Sequence, residues 1–395
     1  MCSGSLLISY GQSVEKIKSG LIESGFEDVR VVAGDKKYTV SIENHVYRWD
    51  VRAITEAINQ IADQLEQTEQ VELVLLENQV PQYLISFKSG DWKKFQAGEI
   101  TKENLSSEFR VSRQVDEAWN VLKPVKAIYA NKSKVDLLIY PQFSFENTLL
   151  SKLYEVQLNI APLLRVSVRK GMKLTGQVIF PVYNELGYEG NFIRPGYVTI
   201  SQDFRLPHRW YGQLSAGNFS SNRYGLASNV NHTFRNENWN LEICLGYTGS
   251  SHYFDRNWMH SELNTFTWSS SIAYFYSKFN LECKAGVAQY IYGDQGLFAS
   301  CSRNFGETSI GFYAQMGKES TNGGFYFTIP FPTSKRRIHK TYRISLPRHY
   351  DFIYNAGTEF YYGQNFMTNP GQNKFKNTTF TQLITKEILT IKNKE

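Results

Sequence analysis

No run of about 18 or more apolar residues occurs in the 395-residue chain, so a helical membrane span is excluded. Cysteine is scarce. Cys2, Cys244, Cys283 and Cys301 form no CxxC spacing, and no metal site is expected. Cys244 and Cys283 are assigned to outward strand faces as small apolar residues, and the sequence leaves open whether neighbouring strands bring two thiols together. The opening Met1-Cys2-Ser3-Gly4 lacks a basic segment followed by an apolar core, so no secretory signal is visible. The expectation is a mature or trimmed form, in which Cys2 is either the acylated first residue of a lipoprotein or an ordinary thiol. GxSxG, Walker, GxGxxG and HExxH signatures are all missing, and no cofactor is expected. The net charge of +6 is mild and spread along the chain. The basic cluster Lys335-Arg336-Arg337 with Lys340 reads as a solvated loop, so nucleic acid is not an expected partner.

What the chain does have is aromatics, at 15% of residues, together with a mean hydropathy of only -0.39. That combination suits strands that are apolar on one side and polar on the other. The cleanest example is Trp239–Tyr247, where Trp239, Leu241, Ile243, Leu245 and Tyr247 share one face and Asn240, Glu242, Cys244 and Gly246 share the other. The alternation recurs from Tyr154 to Ile160 and from Leu281 to Ala288. It recurs again from Ile310 to Met316, with Tyr313 on the polar side, and from Gly324 to Phe331, with Tyr326 there. A soluble antiparallel sandwich also alternates. Its dry core would leave Glu242, Glu282, Lys284 and Gln157 unpaired, and its outer face would be unusually aromatic for water. The reading is therefore mainly β: a transmembrane antiparallel β-barrel of 12–14 strands over residues 134–395, with outer-membrane lipid against its oily face.

Residues 1–133 read as a small α+β domain plus connector. Val14, Ile17, Leu21 and Ile22 share a helical face ended by Gly25. A strand pair, Asp28–Val32 and Lys37–Glu43, turns at Gly34-Asp35. Asp50 is the expected N-cap of a second helix running to Leu65, and strands at Val71–Leu76 and Gln82–Phe87 follow. Residues 88–133 are assigned as connector, with a helix near Gln114–Leu122. The stretch from Asn369 to Glu395 is either a tail on the aqueous side or a last strand.

Several segments resemble the YjbH family. They are Thr175-Gly176-Gln177-Val178-Ile179-Phe180-Pro181-Val182-Tyr183-Asn184, Arg194-Pro195-Gly196-Tyr197, Gly217-Asn218-Phe219, Arg223-Tyr224-Gly225 and Gly246-Tyr247-Thr248-Gly249. Asp294-Gln295-Gly296, Arg303-Asn304-Phe305, Gly311-Phe312-Tyr313-Ala314 and Gly323-Gly324-Phe325 continue the same order. In the first domain, Ser24-Gly25-Phe26-Glu27-Asp28-Val29, Ile42-Glu43-Asn44 and Tyr47-Arg48 match its opening module. The resemblance implies an outer-membrane barrel of a Gram-negative bacterium with a periplasmic α+β module, serving exopolysaccharide or capsule export. Its implied partners are the exopolysaccharide or capsule polymer and periplasmic export proteins. Family members of enterobacterial type are longer, and this chain reads as a compact version with one barrel.

Physically, Gly225, Gly246, Gly296 and Gly311 read as strand positions needing a bend, a bulge or close approach, and Gly323-Gly324 as a tight turn with positive φ. Arg223, Asp294 and Arg303 are placed at the lumen or its rim, pairing with one another or meeting an anionic chain. Glu242 and Lys284 join them as lumen candidates, and Tyr313 and Tyr326 are candidates for a sugar-stacking track or for packing. Catalysis is not expected: His252 and His260, beside Ser250, Ser251, Asp255, Ser261 and Glu262, are the best local cluster and match no ligand spacing. The alternatives are a closed accessory barrel anchoring the N-terminal module, and an outer-membrane hydrolase.

Overall fold

A computed structural model describes residues 3–128, 135–146, 155–318, 321–336, 342–356, 362–372, 375 and 380–391. Cys2, Tyr154, Arg337, Lys340 and the Lys-rich end fall outside the described residues.

The N-terminal unit is a five-stranded sheet in the order β1 (Glu27–Gly34), β2 (Lys37–Glu43), β3 (Gln70–Glu77), β4 (Val80–Lys88) and β5 (Arg110–Ser112). β2 and β3 run parallel, and the crossover between them is helix α2 (Asp50–Asp63). Helix α1 (Ser3–Glu23) and α2 pack Ile17, Leu21, Ile54 and Ile58 onto Val40, Ile42 and Leu73. Three short helices follow, α3 (Ser89–Gln96), α4 (Lys102–Ser106) and α5 (Asp116–Leu122), and Ala118 and Leu122 of α5 meet Val74 and Leu76 on the other face of the sheet. Gly25 ends α1 with φ 90°, in the region that favours glycine. Asp50 is not the N-cap. Trp49 holds that position, and the Asp50 carboxylate instead accepts from Asn44 (2.8 Å) and Arg348 (2.8 Å). The described part of 88–133 is not a loose connector: Trp92, Leu105 and Phe109 are buried in the same core.

The second sheet is antiparallel except where β19 joins β6. Its strands are β6 (Val135–Glu146), β7 (Glu155–Arg169), β8 (Met172–Asn184), β9 (Arg194–Leu206), β10 (Trp210–Asn218), β11 (Arg223–Thr233) and β12 (Trp239–Phe254). They continue as β13 (Asn257–His260), β14 (Thr265–Tyr276), β15 (Leu281–Gln289), β16 (Gln295–Phe305), β17 (Thr308–Gly317), β18 (Thr321–Pro330), β19 (Arg343–Ser345) and β20 (His349–Asn355). Among the described residues, fourteen lie on one hydrogen-bonded path from β19 to β20, and β13 pairs only with β12. The molecule is therefore mainly β, dominated by one large sheet.

The ladder is not continuous around a closed ring, but its two ends belong to one stretch of chain. β20 pairs antiparallel with β18, while β19, just before it, pairs parallel with β6 at Arg343↔Asp136. Continuing that parallel register sets Phe352 opposite Phe145, and those rings stack at 5.5 Å.

Alternation sorts the side chains as expected. Leu245, Tyr247, Phe266, Ile272, Leu297, Phe312 and Met316 are exposed, whereas Thr248, Ser271, Glu282, Lys284, Ser302 and Gln315 are buried. No described helix is long and apolar enough to cross a membrane, which says nothing about strands. Connections at the end facing the N-terminal unit are tight: Gly171, His208-Arg209 and Gly306 adopt positive φ in short turns. Cys283 and Cys301 sit opposite each other on β15 and β16, facing outward, and form a disulfide. Cys244 lies on the inner face, not the outer one, where Asn229 donates to its sulfur at 3.3 Å. Its neighbours Leu245 and Tyr247 hold the outward positions of β12.

Candidate functional site inside the large sheet

The inner face is occupied by described residues of the chain's own C-terminal segment, and these are neither an aqueous tail nor a last strand. It starts at the end of the sheet far from the N-terminal unit. There Asp294 accepts from the Gly363 amide (2.9 Å), and the Ile291 amide donates to Gln364 (3.1 Å). Ser221 Oγ donates to the Asn365 carbonyl (3.0 Å), and Ser220 Oγ accepts from the Met367 amide (2.7 Å). Phe366 stacks on Phe219 at 5.2 Å and 10°. Asn369 then donates to Gln213 (3.0 Å), and Phe375 stacks on Tyr313 at 3.8 Å and 15°. Ser300 Oγ and Tyr326 Oη donate to the Phe375 carbonyl at 2.7 and 3.4 Å.

At the near end, Phe380 stacks on Phe275 and leads into helix α6 (Thr381–Ile388). Ile384 and Ile388 of α6 join the core of the N-terminal unit. Between Tyr362 and Phe380 the described residues of this strap form no ladder with any strand. They are held by single hydrogen bonds, each worth about 0.5–1.5 kcal/mol net, and by ring contacts.

The motif glycines make room for the strap. A Cβ at Gly246 would lie 2.7 Å from the Phe366 ring, and one at Gly296 or Gly317 would lie 2.6 or 2.3 Å from the Tyr362 hydroxyl. Gly311 gives space to the Tyr326 ring in the same way (2.5 Å). Gly196 receives the Gln177 side chain, and the adjoining Pro195 pairs opposite Val178. Gly225 has φ 143°, and a Cβ there would meet the Tyr247 carbonyl at 2.3 Å. Gly323 and Gly324 do not form the expected turn. Both lie within β18 without positive φ, and a Cβ on Gly324 would collide with the Tyr354 carbonyl of β20.

The other predicted residues are not gathered at one point. Lys284 and Glu242 pair across the inner face, with Asn229 donating to Glu242 at 2.9 Å. Arg223 holds Thr248 Oγ1 (3.0 Å) at the far rim, and Asp294 holds the strap there. Arg303 does not face the lumen: Ser302 and Asn304 take the inward positions of β16, so Arg303 points outward, its guanidinium 5.0 Å from the Phe305 ring. His252 pairs with Glu189 (3.0 Å), while His260 packs against Tyr224 and Trp258.

The N-terminal unit covers the near end. Arg48 pairs with Glu307, and Arg343 pairs with both Asp136 and Glu27 (2.8 Å to Glu27). Glu237, in the turn between β11 and β12, is buried. It accepts from Ser112 (2.5 Å), the Arg113 amide (3.2 Å) and Thr381 of α6 (2.6 Å), so one carboxylate joins the N-terminal unit, the strap and the large sheet. Nothing in the sequence marked Glu237 for this role. Within the unit, burial pushes Glu27 above the ordinary carboxylate range, although His45 and Arg343 draw it down. Burial also pushes Glu43 up, but His45 and the amides of Gln79 and Asn78 outweigh it and hold this carboxyl low. Between the unit and the strap lies a cavity of ≈ 730 Å³, lined among others by Arg48, Glu242, Lys284, Gln315, Asn369 and Phe375. No group of three His, Cys, Asp or Glu poised to hold a metal ion occurs among the described residues.

The family model described as exopolysaccharide biosynthesis protein YbjH matches residues 9–347. The chain belongs to the YjbH family. That match spans both the N-terminal unit and the large sheet up to β19, and the strap lies beyond it. No curated protein sequence matches the chain. Among solved structures it is similar to OmpTdeltaL8, a loop-deletion mutant of an outer membrane protein of Vibrio cholerae. Identity is 9%, coverage is 49% of this chain and 86% of that one, and the TM-score is 0.27. A mutant of the Rh. blastica porin is similar at 9% identity over 50% of this chain and 90% of that one, with a TM-score of 0.26.

Proposed function

We propose that this YjbH-family chain is an outer-membrane β-barrel of a Gram-negative bacterium, working without catalysis in export or surface assembly of an exopolysaccharide or capsule polymer. The observation that carries this reading is the sorting of faces. Large exposed apolar side chains such as Leu245, Phe312 and Met316 cover the outside, and buried Lys284 paired with Glu242, Gln315 and serines line the inside. Water disfavours so continuous an apolar exterior, whereas hydrocarbon matches it. On this reading the segment from β19 to β20 completes the wall through a parallel seam on β6. Outer-membrane barrels have short periplasmic turns, so the tight turns beside the N-terminal unit support a periplasmic position for it, where it would dock export proteins. Cell fractionation with a heat-modifiability gel tests the reading: the folded chain should enter the membrane fraction and shift mobility only after boiling, and recovery in the aqueous supernatant would reject it.

A second reading, a closed accessory barrel that anchors its periplasmic unit, is favoured by the strap itself. Loss of surface polymer on deleting the gene, restored by the N-terminal unit tethered to an unrelated anchor, would select it over export.

A further inference from the structure

We propose that the strap is a displaceable internal plug, and that the two places where its phenylalanines stack are sugar-binding subsites which it occupies in the resting protein. This rests on the membrane-barrel reading above. Each subsite has what a pyranose ring recognises: a flat aromatic face, with hydroxyl or amide groups at its edge. At one, Tyr313 presents the face, and Ser300 Oγ and Tyr326 Oη donate to the Phe375 carbonyl as they would to a sugar hydroxyl. At the other, Phe219 presents the face, and Ser220 and Ser221 bond the strap backbone beside Phe366.

Three features make the strap an occupant and not a wall. Its described residues form no ladder with the strands, so they can leave without breaking sheet pairing. Gly246, Gly296 and Gly317 leave recesses shaped to its aromatic residues, so its departure opens space along the inner face. Its lower end is fixed to α6, which packs in the core of the N-terminal unit. A partner that shifts that unit therefore pulls on the strap. The ligand class is a neutral glycan segment, bound weakly and repeatedly enough to move through.

The full chain, refolded and shown to be heat-modifiable, is placed in planar bilayers with cellohexaose as probe. Phe366→Ser/Phe375→Ser should raise the frequency of open events at least tenfold over the unsubstituted protein, and cellohexaose should block the current it carries. In a Cys2→Ser/Cys244→Ser background, Gln213→Cys with Asn369→Cys joined by a short bifunctional thiol reagent should stay silent when the two serines are added. Adding Tyr313→Ala to the released variant should weaken cellohexaose block at least tenfold. Folded, heat-modifiable Phe366→Ser/Phe375→Ser that is as silent as the parent would overturn the plug. Currents that persist after cross-linking would overturn it too, and undiminished block with Tyr313→Ala would overturn the subsite. A chain that never becomes heat-modifiable would instead defeat the barrel reading beneath.

Discussion

Substituting arginine for Ile243 probes the solvent against β12 directly. Outward residues on this strand run Trp239, Leu241, Ile243, Leu245 and Tyr247, with an aromatic at each end. At ~3.4 Å per residue, Trp239 to Tyr247 covers about 27 Å along the strand. A barrel tilt of ~40° reduces this to about 21 Å, close to the ~25 Å apolar band of an outer-membrane barrel. On the barrel reading, Ile243 sits at the middle of the hydrocarbon. Arginine there should cost about 2–4 kcal/mol, and at Tyr247, near the interface, about 1 kcal/mol or less. The assay is urea titration of folding into lipid vesicles, followed by tryptophan fluorescence and gel mobility. On a water-facing surface both changes would fall within about 0.5 kcal/mol of the parent. Equal and negligible costs at both positions would refute the placement.

Further expectations concern the inner face and the N-terminal unit. Lys284→Met leaves the partly buried Glu242 without its cation, with Asn229 still donating to it, and should destabilise by about 1–3 kcal/mol in the same titration, while adding Glu242→Leu should recover most of the loss. Gly225→Ala forces a Cβ against the Tyr247 carbonyl at φ 143° and should cost at least ~1–3 kcal/mol, whereas Ala at Gly293, which has open space around it, is limited to its positive-φ strain. Glu43, held below its ordinary value of 4.5, contributes stability that is complete above that pH and lost as pH falls through its lower folded value. Glu43→Gln should therefore flatten the acid limb of thermal stability measured by circular dichroism; an unchanged limb would remove Glu43 from the account.

Much of this was legible in the sequence, because a strand's period of two is local. The faces of β12, β15, β17 and β18 follow from alternation alone, as do the helical stripes of α1 and α2. The errors have particular causes. Its charge suggests the lumen for Arg303, but the alternation of Ser302 and Asn304 puts it outside. As a small apolar residue Cys244 suggests an outward position, which the alternation of its own strand opposes. Gly323-Gly324 reads as a turn by composition, but the alternation of Phe325, Phe327 and Ile329 begins beside it. Residues 88–133 read as a connector because the buried anchors of their described part, Trp92, Leu105 and Phe109, are single apolar residues among charges. The strap was hidden for a deeper reason. It has no periodicity, and its partners (Asp294, Gln213, Ser300 and Tyr313) are distant in sequence, so only the folded chain reveals what Gly246 and Gly296 make room for.

The most direct measurement is lipid contact itself. Single fluorophores attached through cysteine at Leu245, Ile272 and Phe312, and in parallel at Gln315 and Thr248, are read in vesicles of ordinary and acyl-brominated lipid. Strong bromine quenching is expected at the first three positions and little at the last two. Quenching that fails to separate the two sets, or a chain that stays folded in buffer with no vesicle bound, would contradict it.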